Sequence, residues 1–188
     1  MFRCFSLTLF RSLIIGLATL GWTLAGWADE SAYNKGVNAW RSKNYEEARV
    51  QWRQSLAEGG PDEALNNLAY LLYHGLGGDT QTEKAIELWR KAAALAISEA
   101  QVHLGYAYEQ GVGVERNLVQ AFAWYQCAIV TAGGQMESDA TEREIRQMAM
   151  EQVVKLEPRL LPASRLEGER LAREFTSKYS KRLALRQP

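Results

Sequence analysis

The sequence predicts an all-α protein, a short α-solenoid of stacked helix-turn-helix repeats closed by a C-terminal capping helix pair. Three observations carry that prediction. Residues 64–92 recur, in register, at residues 100–128; apolar side chains return every third or fourth position through most of the chain; and glycines or a proline punctuate the periodic stretches. An array of this kind does its work on a surface rather than in a single deep cleft, because each unit touches only its neighbours.

Residues 1–28 come first and are expected to be a secretory signal peptide. Arg3 and Arg11 precede an apolar run from Leu13 to Leu24, and the small residues Gly26 and Ala28 follow it. The seventeen uncharged residues between Arg11 and Asp29 fall short of the roughly 20 apolar residues of a comfortable membrane span. Cleavage is therefore expected after Ala28, leaving no membrane span and, with no cysteine beside the cleavage point, no lipid anchor. The chain holds 22 basic and 22 acidic residues; losing Arg3 and Arg11 leaves 20 against 22, a balance that does not call for nucleic acid. Of the two cysteines, Cys4 departs with that segment and Cys127 stays alone, so stability has to come from packing rather than from an internal disulfide.

Residues 29–62 read as a first helical hairpin, with helices around Tyr33 to Ser42 and Tyr45 to Glu58. Gly36, Tyr45, Ala48 and Trp52 punctuate it, Asn44 is placed to cap the second helix, and Gly59, Gly60 and Pro61 end it. Residues 63–98 and 99–134 form the second and third units. Ala64, Leu68, Tyr70, Gly75, Gly77, Ala85, Trp89 and Ala92 find their counterparts thirty-six residues on, in Ala100, Leu104, Tyr106, Gly111, Gly113, Ala121, Tyr125 and Ala128. Gly75 and Gly111 stand where a first helix must stop and reverse, since glycine takes positive φ without a Cβ penalty. Second helices are expected from about Thr82 to Leu95 and from about Leu118 to Thr131. Each hairpin alone leaves an apolar stripe uncovered, so the units must stack. Residues 135–188 read as a helical cap. A helix from about Thr141 to Leu156 is broken by the sequence EPRLLPAS, and a last helix from Ala163 to about Leu183 sets Leu171, Phe175 and Tyr179 amid Arg, Lys and Glu. The acids Glu137, Asp139, Glu142 and Glu144 lie where negative charge favours a helix start.

The unit A-x-x-x-LG-x-x-Y-x-x-G-x-GV, followed by A-x-x-WY-x-x-A, resembles the Sel-one-like repeat, and the first hairpin resembles the related tetratricopeptide repeat. The resemblance runs from about Ala32 to Gly133, with Ala69 standing where the repeat usually has glycine and Gly78 where it has valine. It implies a groove along the concave side, lined by the first helix of each unit. Alignment with the tetratricopeptide pattern offers Tyr33, Val37, Trp40 and Arg41 from the first hairpin. The second gives Asn66, Tyr70, Tyr73 and His74, and the third Val102, Tyr106, Glu109 and Gln110. Aromatic side chains among Asn, Gln and Arg suit an extended peptide, because rings give contact area at small entropic cost and amides satisfy backbone groups.

The implied function is that of a non-catalytic exported adaptor or scaffold, periplasmic or secreted, holding a protein or peptide of the cell envelope. A peptidoglycan-binding or glycan-binding module is the alternative. A β-lactam-binding or hydrolytic enzyme, a reading that cysteine-rich relatives permit, is less well served. This chain has no cysteines to pair within its repeats and no serine three residues before a lysine. His74 and His103 are the only histidines, without a cysteine or carboxylate cluster at metal-ligand spacing, and Cys127 lacks a base, so no catalytic residue, metal or cofactor is expected. The glycines of HGLGGD and EQGVGVE lack the Lys and Ser/Thr of a phosphate loop and read as helix turns.

Overall fold

The computed structural model describes residues 31–134 and 140–184. The expected signal segment with Cys4, and the acids Glu137 and Asp139, lie outside the described residues. Those described form eight α-helices: α1 (Ala32–Arg41), α2 (Tyr45–Ala57), α3 (Glu63–His74), α4 (Thr82–Ala94), α5 (Ser98–Gln110), α6 (Leu118–Gly133), α7 (Ala140–Leu156) and α8 (Pro162–Ala184), with one 3-10 turn at Glu157–Arg159. Consecutive helices pair as hairpins, α1 with α2, α3 with α4 and α5 with α6, and each hairpin packs on the next through α2 on α3 and α4 on α5. Helices α7 and α8 both close over α6. The architecture is an all-α solenoid with a helical cap.

Local chemistry sets the boundaries. The Ser31 hydroxyl accepts from the Asn34 amide at 3.3 Å, and the Asn44 side chain accepts from the Glu47 amide at 3.3 Å, capping α1 and α2. Helices α3 and α5 end on Gly75 and Gly111 in the left-handed region, with φ of 67° and 72°. The returning chain is then tied back in the same way in both units. The Gln81 amide donates to the Leu72 carbonyl at 2.9 Å, and thirty-six residues on the Asn117 amide donates to the Tyr108 carbonyl at 2.8 Å.

Gly77 and Gly113 do more than continue the turn. Each lies at positive φ facing the first residues of the preceding unit's second helix: a Cβ on Gly77 would strike the backbone of Tyr45 and Glu46, and one on Gly113 would come within about 3 Å of Thr82. The second turn glycine is therefore the point where one repeat docks on the one before it. Arg49 strengthens the same joint. Buried at 5 % exposure, it donates from one guanidinium nitrogen to the carbonyls of Leu71 at 2.9 Å and Asp79 at 3.0 Å, so a cation of α2 satisfies the end of α3 and the loop after it.

Small residues and rings alternate in the core. A Cβ on Gly36 would meet the Trp52 ring at 2.5 Å, and one on Gly105 would meet the Tyr125 ring at 2.6 Å. Both aromatics thus lie directly on the backbone of the facing helix. The main cluster includes Leu68, Leu71, Leu72, Ile86, Trp89 and Leu104; a second gathers Phe122, Tyr125, Ile145, Ala149 and Leu156 around α6 and α7. On α7, Ile145 and Ala149 are buried whereas Met148 is 48 % exposed, because the helix turns the stripe of residues 145, 149 and 156 toward α6. Phe175 of α8 stacks on Trp124 with centroids 4.3 Å apart, and Tyr179 lies beyond it at 6.1 Å. Cys127 is fully buried beside Thr176, and burial pushes its thiol up to about 11, which removes it as a nucleophile at neutral pH.

Candidate functional site

A pocket of about 360 Å³ opens on the face shared by the first helices of the three hairpins. Helix α1 supplies Val37 and Trp40, one turn apart on one stripe. Helix α3 supplies Asn66, Asn67 and Tyr70, while Trp52 of α2 forms the floor and Glu99, in the first turn of α5, forms the far wall. The rings do not lie flat on one another. Trp40 meets Tyr70 edge-on at 5.6 Å and 82°, and Trp52 at 6.2 Å and 37°, so ring surface faces the pocket from more than one side.

The polar groups are fixed by a bond that crosses between repeats. The Asn66 amide nitrogen donates to Glu99 Oε2 at 2.9 Å, and since a carboxylate only accepts, the orientation of that amide is set. Its carbonyl oxygen is buried without a hydrogen-bond partner. The other carboxylate oxygen, Oε1, lies 3.7 Å from His103 Nε2. The His103 contact holds the Glu99 carboxyl below the usual carboxylate range, outweighing the burial that opposes it, with Asn66 adding to the effect. Tyr33 borders the site, its hydroxyl pushed up by burial first and by the charge of Glu63 next, while the Asn67 side chain hydrogen-bonds to it. Trp89 stacks on His103 at 4.7 Å and Tyr70 lies 5.5 Å from the same ring, so the pocket wall continues into the core as a chain of aromatic contacts.

The structure brings Val37, Trp40, Asn66 and Tyr70 together, with Tyr33 at the edge. Arg41, His74 and Gln110 are exposed beyond the pocket, and Tyr106 is 48 % exposed on α5 away from it. Tyr73 and Val102 turn inward instead of facing a groove: Tyr73 packs 4.9 Å from Trp89, and Val102 joins the second core cluster. Glu109 is committed elsewhere, taking Arg159 at 2.6 Å and the Tyr125 hydroxyl at 3.3 Å, so it ties the cap to the third hairpin. Trp52, Asn67 and Glu99 also line the pocket and were not among the residues expected from the sequence. Among the described residues no three His, Cys, Asp or Glu side chains gather as a metal site, and no helix is long and apolar enough to cross a membrane.

Stacked two-helix units with a pocket on the face of their first helices define a repeat solenoid of the tetratricopeptide type. Residues 62–96 and 98–129 match the Sel1 repeat family, so the second and third hairpins are Sel1-like repeats. It is similar to human protein sel-1 homolog 2, with 32% identity over 79 residues that make up 42% of this chain and 12% of that protein. Among solved structures it resembles a protective antigen of uropathogenic Escherichia coli strains that displays an SLR fold, at a TM-score of 0.63 and 27% identity. That match covers 84% of this chain and 32% of the antigen. A Sel1 repeat protein from Oxalobacter formigenes matches at a TM-score of 0.51 and 31% identity, over 55% of this chain and 41% of that one. The chain thus spans less than half the length of each. Sel1 repeat proteins are generally protein-interaction scaffolds and typically non-catalytic.

Proposed function

We propose that this protein is an exported, non-catalytic scaffold that holds an extended segment of a cell-envelope protein on the face of α1, α3 and α5. The observation that carries this reading is the pocket of about 360 Å³, lined by aromatic and amide side chains of the first two hairpins and closed by Glu99 of the third. Its size falls in the range of preformed binding sites. A peptide crossing the repeats would find rings for its side chains and amides for its backbone. Export rests on the basic and apolar pattern of residues 1–28. The antigenic character of the Escherichia coli relative is in keeping with a place outside the cytoplasm. A groove this small buries less than a standard interface, so affinity near the micromolar range is expected, rising only through avidity.

The test is in-cell crosslinking of the full chain carrying a C-terminal tag, with the Trp40→Ala/Tyr70→Ala double variant alongside. Wild type should capture a protein that the double variant loses while its helical circular dichroism is unchanged, and the recovered chain should begin at Asp29. Equal capture by both forms rejects the groove. Recovery of cell-wall fragments in place of a protein moves the assignment to a glycan-binding module.

A further inference from the structure

We propose that the pocket between α1, α3 and α5 is a cation-accepting cage that selects a basic side chain, arginine above all, of the bound peptide. The inference rests on the groove reading above and names the chemistry of what enters. Among the residues that line the pocket, Glu99 is the only charged one. No lysine or arginine stands with it, and Glu63 adds a second negative charge near Tyr33. An anionic ligand would meet the repulsion of Glu99 with no lysine or arginine among the lining residues to offset it. A purely apolar ligand would strip water from a carboxylate and leave the Asn66 carbonyl oxygen, already buried and unpaired, without a donor.

A guanidinium meets each of these demands. It brings several N–H donors in a planar fork, where the site offers a carboxylate and a carbonyl held 33 residues apart in sequence by one hydrogen bond. Its flat cation also suits the rings, since Trp40, Trp52 and Tyr70 surround the pocket at tilted and perpendicular angles and the face of an aromatic ring attracts positive charge. The carboxylate stays ionised for this task because His103 and Asn66 stabilise its charged form. The pocket volume leaves room for a long side chain together with part of its backbone.

The experiment uses two short, otherwise alanine-based peptides with blocked ends, one with a central arginine and the other with citrulline, its neutral isostere. Each is titrated into the full chain and followed by calorimetry. The arginine peptide should bind at least about tenfold more tightly, and raising the salt should shrink that advantage. Glu99→Gln should erase the preference for arginine over citrulline. Equal affinity for the two peptides, with both lost in Trp40→Ala/Tyr70→Ala, would overturn the cation cage and leave the groove standing. Binding of neither peptide to wild type would overturn both. The wild-type comparison and its salt dependence decide the matter even where Glu99→Gln fails to fold.

Discussion

Gly59 and Gly77 share nearly the same backbone, with φ of 73° and 75°, yet their surroundings differ completely. A Cβ on Gly59 would meet nothing within 4 Å, whereas one on Gly77 would strike the backbone of Tyr45 and Glu46. Gly59→Ala should therefore cost only the left-handed strain of an L-residue, about 1–2 kcal/mol. Gly77→Ala should cost that plus a further ~1–3 kcal/mol for overpacking against a helix start that cannot retreat. Urea unfolding of the two variants measures the difference directly. Equal losses would show that the turn does not clamp one repeat to the next.

At the scale of elements, the middle repeat departs from its neighbours in an instructive way. Gly105 lets the Tyr125 ring rest on α5, but the equivalent position in α3 is Ala69, fully buried in the same core cluster as Trp89. The second unit therefore accommodates a methyl group where the third has none. In the third unit the Tyr125 ring is 1 % exposed and its hydroxyl is held by Glu109, so it has nowhere to move. Gly105→Ala should accordingly destabilise by about 1–3 kcal/mol despite the better helix propensity of alanine. Stabilisation, seen as a higher unfolding midpoint, would mean the ring shifts freely. Helices like these were legible in sequence because caps, glycines and apolar spacing are local signals: Asn44, Gly75 and Gly111 do what their types suggest. The site was legible only by halves. Periodicity fixes which face of a helix a residue occupies, so Val37, Trp40 and Tyr70 could be found. It does not fix depth, so Tyr73 and Val102 went to the core. Glu99 was invisible for another reason. An acid in the first turn of a helix is already explained by the dipole, and its bond to Asn66 joins two repeats, a pairing no local pattern records.

Across the whole molecule, the solenoid is a chain of nearest-neighbour interfaces, and such arrays lose stability locally unless something couples their ends. The C-terminal helix couples only part of that chain. It packs along α6 and reaches α4, and its Phe175 and Tyr179 cover Trp124, which sits in the same core cluster as Trp89 and Trp52. Two outcomes follow for Phe175→Ala, which removes a partly buried ring from a stacked contact at a cost of about 2 kcal/mol, below the range for a fully buried one. If the repeats behave as independent neighbours, hydrogen exchange should accelerate in α6, α7 and α8 while α1 and α2 keep their protection. If α8 instead binds the array into one cooperative unit, protection should fall by the same factor from α1 to α8. The first outcome is expected, because α1 and α2 reach the cap only through α3 and α4, and the loss should fade over that distance. A uniform loss would show that the joints at Gly77, Gly113 and Arg49 transmit strain along the full length of the solenoid.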